Sequence, residues 1–215
     1  MASLEHLLPA PDQSVRCSDH SRALAIDPCG TAIRADRVVL IETPRPWPKP
    51  VFDHPVLVDL DPVLGNSVLP IRTLAFAAEA GGPGAGAAGQ THPATIITFD
   101  RPQRGGAGTE VIERRFRPTS LHDAFAVATA AAEDDLDTLD AMADHLGPVV
   151  SPVLLVCTQG SHDVCCGSDG ARFANEAESI AGLTVYRVSH TGGHRFAPTA
   201  MTLPDGRMWA DMDLD

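Results

Sequence analysis

VLLVCTQGSHDVCCG, residues 153–167, reads as a covered strand that runs into a loop bearing cysteines. Val153 to Val156 is a short apolar run of the kind a two-sided strand needs. Cys157 stands at its C-terminal end, where α/β proteins place their sites. Cys166 follows at C-x8-C spacing, Asp169 to Ile180 reads as a helix, and Thr184 to Val188 as the next strand. Thr199 to Leu203 and Arg207 to Ala210 add a hairpin about Pro204-Asp205-Gly206, a strong turn signal. Strand, helix and further strands in this order predict an α/β fold.

The same order is legible upstream. RVVLIET, Arg37 to Thr43, is rich in β-branched residues and predicts a strand that PRPWP, Pro44 to Pro48, cannot continue. Leu64, Val68, Ile71 and Ala75 recur at helical spacing, so Val63 to Glu79 is expected to be helical, shortened or kinked at Pro70. Gly81 to Gly89 reads as a loop. Thr95 to Phe99 and Glu110 to Phe116 read as strands turning at Gly105-Gly106. Ser120 with Asp123 marks a helix start, followed by an apolar stripe from Leu121 to Leu146 that Glu133-Asp134-Asp135 interrupts. After Gly147-Pro148 the pattern changes. Each half is therefore expected to be β-α-β-β, residues 1–147 and 148–215.

Composition narrows the function classes. A formal charge of -12 argues against a nucleic-acid partner, whose phosphates demand clustered Lys and Arg. No stretch has the length of a membrane span. Met1 to Leu8 lacks the basic and apolar regions of a signal peptide, so a cytoplasmic, reducing location is expected. There the five cysteines read as metal or redox groups sooner than as a disulfide framework. Cys17 and Cys29 read as small packing residues, and His54 and His92 as surface or loop residues.

The distinctive residues are Cys157, Cys166, His190 and His194, the last two within HTGGH. Two thiols and two imidazoles are a donor set for zinc or for an iron–sulfur cluster. H-x3-H suits zinc, whereas the C-x8-C gap is wider than zinc fingers use and suits a larger object such as a two-iron cluster. Gly192 and Gly193 place the histidines on a loop open to close backbone approach. Cys165 is readable as a ligand, a packing residue or a redox thiol. No carboxylate pair suggests a glycosidase.

At LLVCTQGSHDVCCG (Leu154 to Gly167), SHTGGHRFAP (Ser189 to Pro198) and LPDG (Leu203 to Gly206) the chain resembles the sucrase/ferredoxin-like family. GTAIRADRVVLIETPRPW, Gly30 to Trp47, extends the resemblance upstream. Gln159 departs from it, standing where relatives have His in a CTHG loop. Relatives commonly continue past the position of Asp215, and the resemblance implies a closing helix there. It also implies a thioredoxin-like ferredoxin domain over 148–215 and a [2Fe-2S] cluster on Cys157, Cys166, His190 and His194. The implied role is one-electron transfer to or from a redox partner protein, more a carrier than a catalyst; a homodimer is compatible with it. On that reading Arg195 offers a charge beside His194. The competing readings are a zinc-stabilised binding module and a thiol oxidoreductase, although Cys165–Cys166 lacks the C-x-x-C spacing of such enzymes.

Overall fold

The structure, a computed structural model, describes residues 16–77, 91–101 and 110–213. Its centre is β1 (Arg37–Glu42), every residue of which is buried. Val39 and Ile41 face one apolar cluster and Val38 and Leu40 another, as the two-residue repeat of a strand requires. β1 lies parallel to β2 (Ile71–Phe76) and antiparallel to β3 (Ile96–Asp100). β4 (Ile112–Phe116) and β5 (His145–Pro148) extend that side. Beyond β2 come β7 (Thr184–Val188), β6 (Val153–Cys157), β8 (Ala200–Leu203) and β9 (Met208–Trp209). Among the described residues these form one mixed nine-stranded sheet, ordered β5-β4-β3-β1-β2-β7-β6-β8-β9. Among the described residues the join between its two sides is narrow, a single pairing of Phe76 with Val188.

Five α-helices accompany the sheet: α1 (Cys17–Ala23), α2 (Asp61–Gly65), α3 (Leu121–Glu133), α4 (Leu136–Met142) and α5 (Ala171–Ala177). No helix among the described residues is long and apolar enough to cross a membrane. α2, α3 and α4 cover Val39, Ile41 and Ile96 through Leu64, Val127 and Leu139. α5 covers Leu154 and Val156 through Phe173 and Ala177. The remaining large cluster has no helix: Val38, Leu40, Leu74 and Phe99 meet Leu155, Val188 and Met201. The predicted boundary at 147/148 thus runs through a core that both sides share.

The helix expected over Val63 to Glu79 is not formed. α2 stops at Gly65 and the chain enters β2 directly after Pro70. Pro70 cannot continue a helix and disfavours helical backbone at the residue before it. Residues 71–76 instead pair in unbroken register with β1. Val68, an inner position of the expected stripe, is 73% exposed. Downstream, Ser120 does cap α3, its hydroxyl accepting the Asp123 N–H at 3.1 Å. Asp134, in left-handed backbone at φ 60°, ends that helix, and Asp135 caps α4 by accepting the Thr138 N–H. Leu146 falls in β5, outside the expected stripe. The Asp169–Ile180 helix is replaced by a wide π-type turn over Cys166–Gly170 and the shorter α5. The loop at 81–89 and the turn at 105–106 lie outside the described residues.

Candidate metal centre

Glycines bring the first loop back onto the strand that launches it. At Gly170 a Cβ would overlap the carbonyl oxygen of Cys157, and at Gly167 it would come within 2.6 Å of the Gly160 Cα. With no side chains in the way, the π-type turn docks on the end of β6 and sets Cys166 beside Cys157, both fully buried. The second loop leaves β7 at Val188. Ser189 locks it to β2, donating its N–H to the Ala75 carbonyl at 2.8 Å. Gly192 and Gly193 turn the chain through φ 111° and 64°, a path L-residues resist. His194 then opens a short 3-10 turn, His194–Phe196. Gln159 ties the loops together: its Oε1 accepts the His190 N–H at 3.0 Å.

Three of the four residues singled out in the sequence converge. Donor atoms of Cys157, Cys166 and His190 all lie within 4.8 Å of one another. His190 Nδ1 is 3.9 Å from the Cys157 sulfur. His194 is a neighbour, its ring centroid 5.8 Å from that of His190, but its Nδ1 faces Asp163 Oδ2 at 3.1 Å. With Cys17 it forms a second group of donors, again within 4.8 Å. Cys165 belongs to neither group; it is buried and its N–H donates to Asp163 at 2.8 Å. Cys29 is exposed.

The two central sulfurs do not titrate alike. The Cys166 thiol donates to Cys157 and holds its pKa well below that of a free thiol, against the opposing effect of burial. His190 and the backbone N–H groups of Gln159 and Thr191 add to this. Cys166 is pushed up in turn by that same hydrogen bond, by burial and by the charge on its neighbour. The shared hydrogen bond therefore favours the charged form of Cys157 and the neutral form of Cys166. Arg72, on β2, donates from Nη2 to the His190 carbonyl. Its Nε–H is buried without a partner among the described residues. Burial lowers the pKa of this guanidinium and the Cys157 charge opposes that. Arg195, the cation expected here, is exposed.

Residues distant in sequence wall the site. The Pro48 carbonyl accepts from Gln159 Nε2 at 2.8 Å, Arg45 donates to the Thr158 hydroxyl at 2.5 Å, and Lys49 donates to the His162 carbonyl at 2.9 Å. The PRPWPKP segment is thus a lid rim for the cysteine loop. His162 stacks on His190 with centroids 3.7 Å apart. Burial first, then the charges of His190, Lys49 and His194, lower its pKa to about 4. Arg16 anchors the π-type turn through Asp169 at 2.5 Å. His162, Asp163 and Arg72 were not among the expected site residues, and Cys17, expected only to pack, stands in the second donor group. The first two were in plain view inside the cysteine loop, whereas no local pattern marks the other two. A groove of about 370 Å³ lined by Glu113, Arg115, His145 and Thr184 shares no residue with either group.

Two soft sulfurs and an imidazole suit zinc or an iron–sulfur cluster and would be poor company for Mg²⁺ or Ca²⁺. The idle Arg72 N–H fits an acceptor at the site, such as sulfur. No curated protein and no solved structure matches this chain. A family model does, over residues 28–213. By that match, which takes in both loops and the PRPWPKP rim, the chain belongs to the sucrase/ferredoxin-like family.

Proposed function

We propose that the protein is a one-electron carrier with a [2Fe-2S] cluster held by Cys157, Cys166, His190 and His194. The observation that carries this reading is the convergence of the buried Cys157 and Cys166 with the half-buried His190, brought together from the end of β6 and the two loops. Family membership supports the cluster over other occupants. Such a cluster supplies one-electron reduction and oxidation at a potential set by its ligands, hydrogen bonds and surroundings. The protein's own residues do the rest. Cys157 is the more acidic thiol of the pair and the readier to bind as a thiolate. Neutral imidazoles in place of two thiolates make the site less negative, which favours reduction. Arg72 places a half-buried cation near Cys157 and favours it further. Gln159, Pro48 and Lys49 hold the loop closed and limit water.

Two repeats of strand order support a thioredoxin-like reading of each half. β2-β1-β3-β4 and β7-β6-β8-β9 each place a parallel pair beside antiparallel neighbours. On this view 1–147 is the supporting half and 148–215 the cluster-bearing half, in a cytoplasmic protein exchanging electrons with a redox protein. Three convergent donors also suit a single zinc ion, and that is the second reading. Iron, zinc and acid-labile sulfide analysis of anaerobically purified protein decides between them. Two irons and two sulfides per chain are expected. Stoichiometric zinc without sulfide would overturn the cluster.

A further inference from the structure

Asp163 is a carboxylate in an unexpected place. Its side chain is only 13% exposed, and it lies in the loop between Cys157 and Cys166. Burial disfavours the charged form of a carboxylate, so one placed here is costly unless donors offset it. No Lys or Arg pairs with it among the described residues. Its donors come from three separate segments. The Cys165 N–H reaches Oδ1 at 2.8 Å, His194 Nδ1 reaches Oδ2 at 3.1 Å, and the Cys17 thiol of α1 is a third. If the loop needed only a hydrogen-bond acceptor, an Asn would accept the same bonds without the charge.

The pairing also separates the two histidines. His190 turns Nδ1 toward the Cys157 sulfur, whereas His194 has its Nδ1 engaged by Asp163. His194 therefore has only Nε2 to offer a metal. Metal-binding histidines commonly donate their other N–H to a carboxylate, which fixes the tautomer and strengthens the ring as a donor. We infer that Asp163 is the positioning residue for His194: it holds the ring as the Nδ1–H form, presents Nε2 as the ligand atom and lends it negative charge. The inference rests on the cluster reading above. Cys17, donating to the same carboxylate, is part of the support and not a ligand.

Asp163→Asn, Asp163→Ala and Cys17→Ser, made in the full chain, test this. In metal-free protein, ¹⁵N spectra of the histidines, with His194 assigned by His194→Gln, should show the Nδ1–H form. Asp163→Ala should release His194 to the Nε2–H form that free imidazole prefers. In loaded protein Asp163→Asn should keep iron and sulfide and shift the midpoint potential upward, since a negative charge has gone. An unchanged tautomer in Asp163→Ala, or an unchanged potential in Asp163→Asn, overturns the inference while leaving the cluster in place. Zinc bound by wild type and lost in Cys17→Ser overturns it differently, by making Asp163 itself a ligand. Wild type without iron or sulfide sinks the cluster reading, and the tautomer still reports on the pair.

Discussion

Arg72 is where residue chemistry and function meet most directly. A cation with an idle N–H near Cys157 stabilises added negative charge, so its removal should make reduction harder. A hydrogen bond to a charged group contributes about 1.5 kcal/mol, and about 59 mV corresponds to 1.4 kcal/mol for one electron. Arg72→Met should thus lower the midpoint potential by about 60 mV, read by spectroelectrochemistry, and Arg72→Lys by less. An unchanged potential would remove Arg72 from the account. His54 gives a pH signature away from the metal. Burial lowers its pKa below the ordinary 6.5, and its Nδ1 accepts the Val56 N–H as only a neutral ring can. The folded state then binds fewer protons than the unfolded state. This contribution is complete above pH 6.5 and lost as pH falls below it. His54→Gln should flatten that part of a stability–pH curve, and an identical slope would contradict the pairing. The four ligand candidates were legible because their spacing is local. Arg72 was not, since it meets His190 across 118 positions of chain.

At the scale of elements, the strand-to-loop-to-helix reading around Cys157 survives because its signals are steric and local. β6 needs apolar residues on both faces, and the π-type turn needs glycine where it touches the strand. Gly170→Ala should cost about 3 kcal/mol, the upper end for an overpacked site, with a lower melting temperature and weaker metal retention. Wild-type stability would show that the turn can shift, against the docking described here. The helix expected over Val63 to Glu79 failed for a related reason. Leu64, Val68, Ile71 and Ala75 fit a helical period by coincidence, and the pairing of residues 71–76 with β1 decided the structure. Short apolar runs carry this ambiguity until a neighbouring strand is known.

At the scale of the molecule, an α/β fold was legible but the continuous sheet was not. Phe76 and Val188 join its two sides, and nothing near either residue announces the other. Leu155, completely buried, sits in the core that holds residues of both halves. In a Trp209→Phe background, Leu155→Ala should cost about 3 kcal/mol and shift the unfolding seen by Trp47 fluorescence and by far-UV circular dichroism together. A Trp47 transition that stays put would show that the halves unfold separately. The candidate centre draws on both sides, with Cys157, Cys166 and His190, and His194 beside them, on one, and Arg72, Pro48 and Lys49 on the other. The most direct test of that centre is nitrogen hyperfine spectroscopy of the dithionite-reduced protein at low temperature. The account predicts the EPR signal of a reduced [2Fe-2S] cluster coupled to two imidazole nitrogens, one lost in His190→Cys and the other in His194→Cys. A reduced protein with no such signal, or one with no nitrogen coupling, would contradict it.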